Sequence, residues 1–515
     1  MFLDGLELLL SPMGLLWLIV GLLLGFVVGV LPGLSTSNTA ALLLPFSVVL
    51  PTEQGLILIM SIYAGSAFAG SVPAILVNVP GEAGSAVTAL DGYQMAKQGK
   101  AGVAIGIART ASTLGGVVSG SLVLLVIAPL GSLALRFGAR EMFIVVLLGI
   151  VVVSTLVGKD LVKGLLSGVA GLVLATVGGS PLSGQSRFTF GNLQLLDGIQ
   201  FVPALIGLFA ISEMLLLIGS AKPAGSSKGP AGESSLRKDL RDAITGTKVT
   251  FRHSGSVAQA TGVGIILGII PGIGTGVSNF ISYGIAKRAS KHPEKFGTGI
   301  PQGVIASEAC DNAVGAATLV PTLALGVPGS ATMAVVLAQF YIQGIQPGPK
   351  VLVDHGPQAM AAVLAVIAAS ILILPIGIIA TAPLVQITRI PVKILVPVVI
   401  VLALTASVSY RGSLFDLGVA IAFGLIGYLM RLHGYPVIPL ILGLILGPLL
   451  EEHLSRALKL ANGHLLYFFS SPTAIVLWSI LLAVVAYLVV SSIRQRRRLT
   501  PDASLSADAD AEAMR

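Results

Sequence analysis

The fold class this sequence predicts is an all-α, polytopic membrane protein built from two repeats with broken helices. Three observations predict it. Only 10% of the 515 residues are charged, where a soluble chain carries about 25%. Hydrophobic residues make up 54%, and mean hydropathy is +0.94. A pair of Pro-Gly motifs recurs in the same order in both halves. At about 20 residues per span plus connections, the length holds roughly 10 to 14 spans. So few charges cannot cover a soluble globule of this size, which excludes disorder and nucleic-acid binding for the bulk of the chain.

The apolar segments justify the class in order. Residues 15–31 come first and are broken by Pro32-Gly33. The first 96 residues contain no Lys or Arg, so the basic n-region of a signal peptide is missing and this segment is expected to be a retained helix. Residues 40–50 and 55–79 follow, the latter broken by Pro80-Gly81. Then come 101–130, 143–157, 161–177 and 201–218. Residues 220–256 form a long polar stretch with seven basic and three acidic residues. The positive-inside rule makes it a cytoplasmic linker between two halves.

The second half offers 257–270, broken by Pro271-Gly272, then 273–286, and 303–327, broken by Pro328-Gly329. Next are 331–345, 359–380, 394–408, 414–432, 437–450 and 473–490. The expected organisation is a first repeat (1–219), the linker (220–256), a second repeat (257–472), an extra helix (473–493) and a basic, then polar, disordered tail (494–515). The N-terminus is expected outside, and the linker and the RQRRR sequence at 494–498 in the cytoplasm. An odd number of crossings per half then inverts one repeat relative to the other.

Residues 29–36 read GVLPGLST and residues 268–275 read GIIPGIGT; residues 73–81 read PAILVNVPG and residues 321–329 read PTLALGVPG. Any one such pair can be an ordinary kink. Two pairs at matched positions point instead to a transporter whose interrupted helices meet near the midplane. Exposed backbone there suits anions at helix N-termini and cations at carbonyls. The residues proposed to bind substrate are Gly33, Ser35, Thr36, Asn38, Ser71, Asn78, Gly81, Gly272, Thr275, Asn279, Asn312, Gly329 and Ser330. Hydroxyls and amides can hold a carboxylate without a fixed charge, although each could also bond its own helix. The glycines are expected to let the chain turn with positive φ or let ligand approach the backbone. Valine at Gly81 or Gly329 should then abolish uptake, whereas Gly168 and Gly424 should tolerate it.

Few ionisable residues lie at depth. Glu308 and Asp311 stand three apart, share a helix face, and are candidates for ion coupling. They could equally lie at a water-exposed helix start. Arg109 is either a partner for an anionic substrate or a snorkelling side chain. All six histidines fall in loops or at segment ends, and the single cysteine, Cys310, leaves no disulfide and no cysteine metal site. No P-loop occurs, so the energy source is an ion gradient or a partner, with no cofactor.

Several blocks carry a family resemblance: GSVPAILVNVPGEAGSAVTALDGYQMAKQGKAGVAIGIA (70–108), GVLPGLSTSNTAALLLPF, PGIGTG, and SEACDNAVGAATLVPTLALGVPGSATMAVVLAQFYIQGIQPGP. Over roughly residues 15–450 the chain resembles the large membrane subunit of tripartite tricarboxylate transporters, the TctA family. The resemblance implies a multi-pass permease of the bacterial inner membrane. It implies two partners, a small membrane subunit and a periplasmic solute-binding protein. It further implies uptake of tricarboxylates or related organic anions with Na⁺ or H⁺. Members usually show an EAANNA-like stretch where this chain has EACDNA, so Asp311 adds an acid. The alternatives are a passive channel or exporter of small solutes and, from another class, a membrane-embedded enzyme; the histidine positions give the enzyme no support.

Overall fold

The structure is a computed structural model, which describes residues 1–31, 34–48, 50–134, 136–156, 161–180, 184–219, 236–271, 273–387 and 392–499. The first half opens with α1 (Phe2–Leu10) and α2 (Pro12–Gly29). Ser11 starts α2: its Oγ accepts the Gly14 N–H at 3.0 Å, and Pro12 takes the first helical position. Then come α3 (Thr36–Val48), α4 (Thr52–Ala69), α5 (Ser71–Val77), α6 (Ser85–Lys97), α7 (Ala101–Ala134), α8 (Ala139–Leu156) and α9 (Leu161–Ala175). A small hairpin pairs β1 (Gly178–Gly179) with β2 (Ser186–Arg187). Arg187 pins it to Glu451 by two bonds of 2.9 Å. Helices α10 (Phe201–Ile206) and α11 (Ser212–Gly219), joined through a π-helical turn, complete the half.

The second half contains α12 (Leu236–Arg252), α13 (Ser254–Ile269), α14 (Gly274–Ala289), α15 (Pro301–Ala317), α16 (Leu319–Leu325), α17 (Ala331–Ile342), the short α18 (Val351–Asp354), α19 (Gly356–Ile387), α20 (Val392–Arg411), α21 (Leu414–Leu432) and α22 (Val437–Ala461). Helix α23 (Pro472–Leu499) follows and includes the RQRRR sequence. The polar linker is therefore not a bare connection. Its part at 236–252 is a helix that packs on α7, with buried Ala243 and Thr250 and with Gly246 against Gly106.

Helices α4 and α15 form the centre: every residue from Gly55 to Ala69 and from Gly303 to Ala317 is buried. Small residues let their neighbours approach this closely, because lipid supplies no hydrophobic drive between helices. A Cβ at Gly25 on α2 would lie 2.5 Å from the Ile62 carbonyl on α4. One at Gly268 on α13 would lie 2.7 Å from the Ala317 Cβ on α15. The packing partners correspond between halves. Helix α2 packs on α4 as α13 does on α15, and α3 packs on α4 as α14 does on α15. Across the halves, α7 packs on α15 and α19 on α4, with α12 against α7 and α1 against α19.

Among the described residues, seven helices are long and apolar enough to cross a membrane, and five shorter apolar helices accompany them. The seven long and five shorter apolar helices fit the many spans read from length.

Candidate functional site

The breaks determine which side chains meet. After α4 the chain runs through Gly70 into the seven-residue α5, and after α15 through Thr318 into the seven-residue α16. Each short helix ends on a left-handed residue two places before its Pro-Gly: Asn78 at φ 57° and Gly326 at φ 70°. In each, the following N–H reaches back over the cap, Val79 to the Pro73 carbonyl at 3.4 Å and Val327 to the Pro321 carbonyl at 3.2 Å. At Gly326 the N–H also bonds the Thr322 carbonyl at 3.1 Å, the bond of a left-handed helix cap.

Beyond the first Pro-Gly stands Glu82, which the Thr36 hydroxyl of α3 bonds at Oε2. The Glu82 carboxyl also hydrogen-bonds the Asp311 carboxyl of α15. Asp311 Oδ1 accepts from Asn279 Nδ2 of α14 at 2.8 Å, and Thr275 bonds the same carboxyl group. One turn back on α15, Glu308 is held by two hydroxyls, Thr88 of α6 at Oε1 and Ser112 of α7 at Oε2 (2.9 Å). The Ser307 and Thr88 hydroxyls lie 2.7 Å apart. Glu308 and Asp311 are 2% and 3% exposed, so neither lies at a water-exposed helix start. Among the described residues none of the three acids forms a salt bridge. The site is therefore a cluster of three carboxyl groups drawn from both halves. Asn279, fully buried, leaves its Oδ1 without a partner. Among the described residues no three acids are arranged to hold a metal ion, and buried carboxyl groups of this kind suit protons.

Of the residues singled out in the sequence, the structure joins Thr36 to Glu82 and brings Thr275 and Asn279 to Asp311, while the Ser71 hydroxyl donates to the Phe68 carbonyl at 2.7 Å. Gly33 and Gly272 lie outside the described residues. Ser35 instead bonds Ser37 at 3.0 Å and accepts the Asn38 N–H at 3.3 Å. Ser330 caps α17 by accepting the Met333 N–H at 3.2 Å. Asn312 is buried with Oδ1 lacking a partner, and Asn78 is exposed.

The glycines need correcting. Gly81 and Gly329 do not take positive φ; the left-handed residues are Asn78 and Gly326. Nor do these glycines face open space. A Cβ at Gly81 would lie 2.7 Å from the Gly70 Cα, and one at Gly329 2.8 Å from the Thr318 Cβ. Their small size serves close packing of the break on its own half. Gly168 and Gly424 are no suitable controls, since a Cβ at either would come within 2.6 Å of Ser154 or Ile211; Gly284 and Gly418 face open space. Arg109 does not snorkel, being 2% exposed.

Sequence reasoning missed Glu82, Gly84 and Asp91. An acid directly after a Pro-Gly break, in a stretch of 96 residues without Lys or Arg, was the available signal for Glu82. At Gly84 any side chain would fall on the Asp311 carboxylate and on Asn279. Asp91, fully buried on α6, accepts the N–H groups of Gly297, Gly299 and Ile300 at 2.9, 2.8 and 3.0 Å. Its other oxygen accepts the Tyr283 hydroxyl at 2.8 Å. It thereby fixes the loop that begins α15, the helix that carries Glu308 and Asp311.

A family model described as the tripartite tricarboxylate transporter TctA family matches residues 15–442. A 52.8 kDa protein of Agrobacterium vitis, named for its place in the TAR-I ttuC' 3' region, is 37% identical over 494 residues, 96% of each chain. A second A. vitis protein, from the TAR-II ttuC' 3' region, is 33% identical over 234 residues, 45% of this chain and 97% of that one. No solved structure matches.

Proposed function

The chain belongs to the tripartite tricarboxylate transporter TctA family, and from that membership together with the site's chemistry we propose that it is the permease of a binding-protein-dependent secondary transporter. Its substrates are tricarboxylates or related organic anions, and a Na⁺ or H⁺ gradient drives uptake. A small membrane subunit and a periplasmic solute-binding protein complete the system, in the inner membrane of a bacterium.

One observation carries the coupling half of this reading: Glu82, Glu308 and Asp311 share a buried cluster with no salt bridge among the described residues. Buried carboxylates without a counter-charge are costly, so protons or a bound cation must neutralise them. A group whose charge must be compensated by a mobile cation can exchange that cation with two aqueous sides as the bundle changes conformation. The cluster also draws on both halves, so a movement of one half against the other changes its geometry. A passive channel has no need of such a site.

The packing supports the inverted arrangement. Gly5 near the N-terminus packs against Met360 at the start of α19, while Gly106 near the start of α7 packs against Gly246 of α12. Helix α19 thus begins beside the N-terminus, whereas α7 begins beside the basic inter-half segment.

The test is uptake of labelled citrate into proteoliposomes holding the complex, with Na⁺ and H⁺ gradients imposed separately. Accumulation that depends on one gradient and on the binding protein is expected. Equilibration without accumulation under either gradient would favour the passive channel.

A further inference from the structure

We propose that Arg109 binds a carboxylate of the transported anion, on the side of the bundle facing α12. The proposal rests on the reading of the chain as an organic-anion permease. Arg109 is 2% exposed, yet among the described residues it forms no salt bridge. Its head makes one hydrogen bond, from Nη2 to the Ala243 carbonyl of α12 at 3.5 Å, the outer limit for such a bond. Its Nε is buried and has no partner. These two nitrogens form one edge of the guanidinium, the edge that meets a carboxylate through two parallel bonds. The protein thus buries a cation with its carboxylate-binding edge open and supplies only a weak carbonyl contact there.

The surroundings hold that edge in place. Gly377 of α19 makes room for the stem: a Cβ there would lie 2.9 Å from the Arg109 Cδ and 3.6 Å from the Phe68 ring. Ser112, which holds Glu308, lies three residues further along α7 and shares the helix face of Arg109. One face of α7 therefore carries both a cation open to a substrate carboxylate and a hydroxyl bonded to the carboxyl cluster. A buried guanidinium without a counter-ion is costly, and an arriving carboxylate removes that cost by displacing the Ala243 carbonyl. When the anion leaves, the carbonyl returns, so the site does not hold its cargo irreversibly.

The experiment compares uptake of citrate and of citrate monoamide by the complete reconstituted complex, wild type against Arg109→Gln and Arg109→Lys. Loss of a charged hydrogen-bond pair is worth about 10- to 100-fold in affinity. In the wild type, the monoamide should have a KM raised by about that factor. In Arg109→Gln, the KM for citrate should rise by a similar factor and the preference for citrate over its amide should shrink toward unity. Arg109→Lys keeps the charge but not the two-bond edge, so it should fall between them. Should Arg109→Gln not assemble, the Lys variant alone decides, through the same ratio. An unchanged citrate-to-amide preference in either variant, with or without a general fall in uptake, overturns the proposal and leaves Arg109 a packing residue. If the wild-type complex takes up no organic anion under any gradient, the functional reading itself fails.

Discussion

The two break segments, Pro73–Gly84 and Pro321–Thr332, have matching backbones and different chemistry. Both form a seven-residue helix, a left-handed cap two residues before Pro-Gly, and a long return bond to the first proline. The next residue then separates them. Glu82 reaches across to Thr36 and Asp311, whereas Ser330 turns back to cap its own α17. The caps differ too: exposed Asn78 occupies the left-handed position in the first half and Gly326 in the second. The lesson is that two break segments can share a backbone form while side chains make only one of them an acidic site.

The largest effect should come from Gly84→Ala. Its methyl group would fall on the Asp311 carboxylate and Asn279, so uptake should be lost while assembly in the membrane persists. The matched residue of the second half is Thr332, and Thr332→Ala should leave uptake within about twofold, since a substitution that makes no clash and unpairs no buried group is worth only tenths of a kcal/mol. Equal damage at both positions would break the comparison.

Next is Glu82→Gln. Replacing the carboxyl that links Thr36 to Asp311 should cut gradient-driven accumulation by about 10- to 100-fold, the scale of a charged hydrogen bond. Ser330→Ala removes only a helix cap, costing about 1 kcal/mol of stability and little transport. Transport rates and thermal midpoints measured together separate the two outcomes.

Asp91→Asn should act on stability first. The amide can keep some acceptor contacts but loses the charge that three N–H groups and Tyr283 share, a cost of about 1.5–3 kcal/mol. Thermal unfolding in detergent measures it, and an unchanged midpoint would show that the loop does not need the clamp.

The smallest effects distinguish the caps. Gly326→Ala places a side chain at φ 70° and should destabilise by about 1–2 kcal/mol. Asn78→Gly should change stability by less than about 1 kcal/mol, because asparagine already tolerates the left-handed region. Reversed magnitudes would mean that the Asn78 side chain does more than end a helix.

Much of this was legible in the sequence. The Pro-Gly pairs marked where the two break segments lie, though not which residue turns left-handed, and the three-residue spacing of Glu308 and Asp311 put them on one helix face. Thr36, Thr275 and Asn279 were marked by being polar beside a break. Glu82 was not, because hydropathy reads an acid after Pro-Gly as loop, and no periodicity shows that α3 and α15 converge on it. Gly84 was invisible for a related reason: its value lies in a neighbour more than 200 residues away. The helix at 236–252 was hidden by its charge, since a polar surface helix lacks the apolar run that identifies a span.

The central claim is that the acidic cluster couples transport to a cation rather than holding the organic anion. Asp311→Asn tests it most directly, assayed in one preparation for gradient-driven accumulation of citrate and for citrate counterflow without a gradient. The account predicts that accumulation is lost while counterflow persists at a rate comparable to wild type. Accumulation at the wild-type level in Asp311→Asn would contradict it.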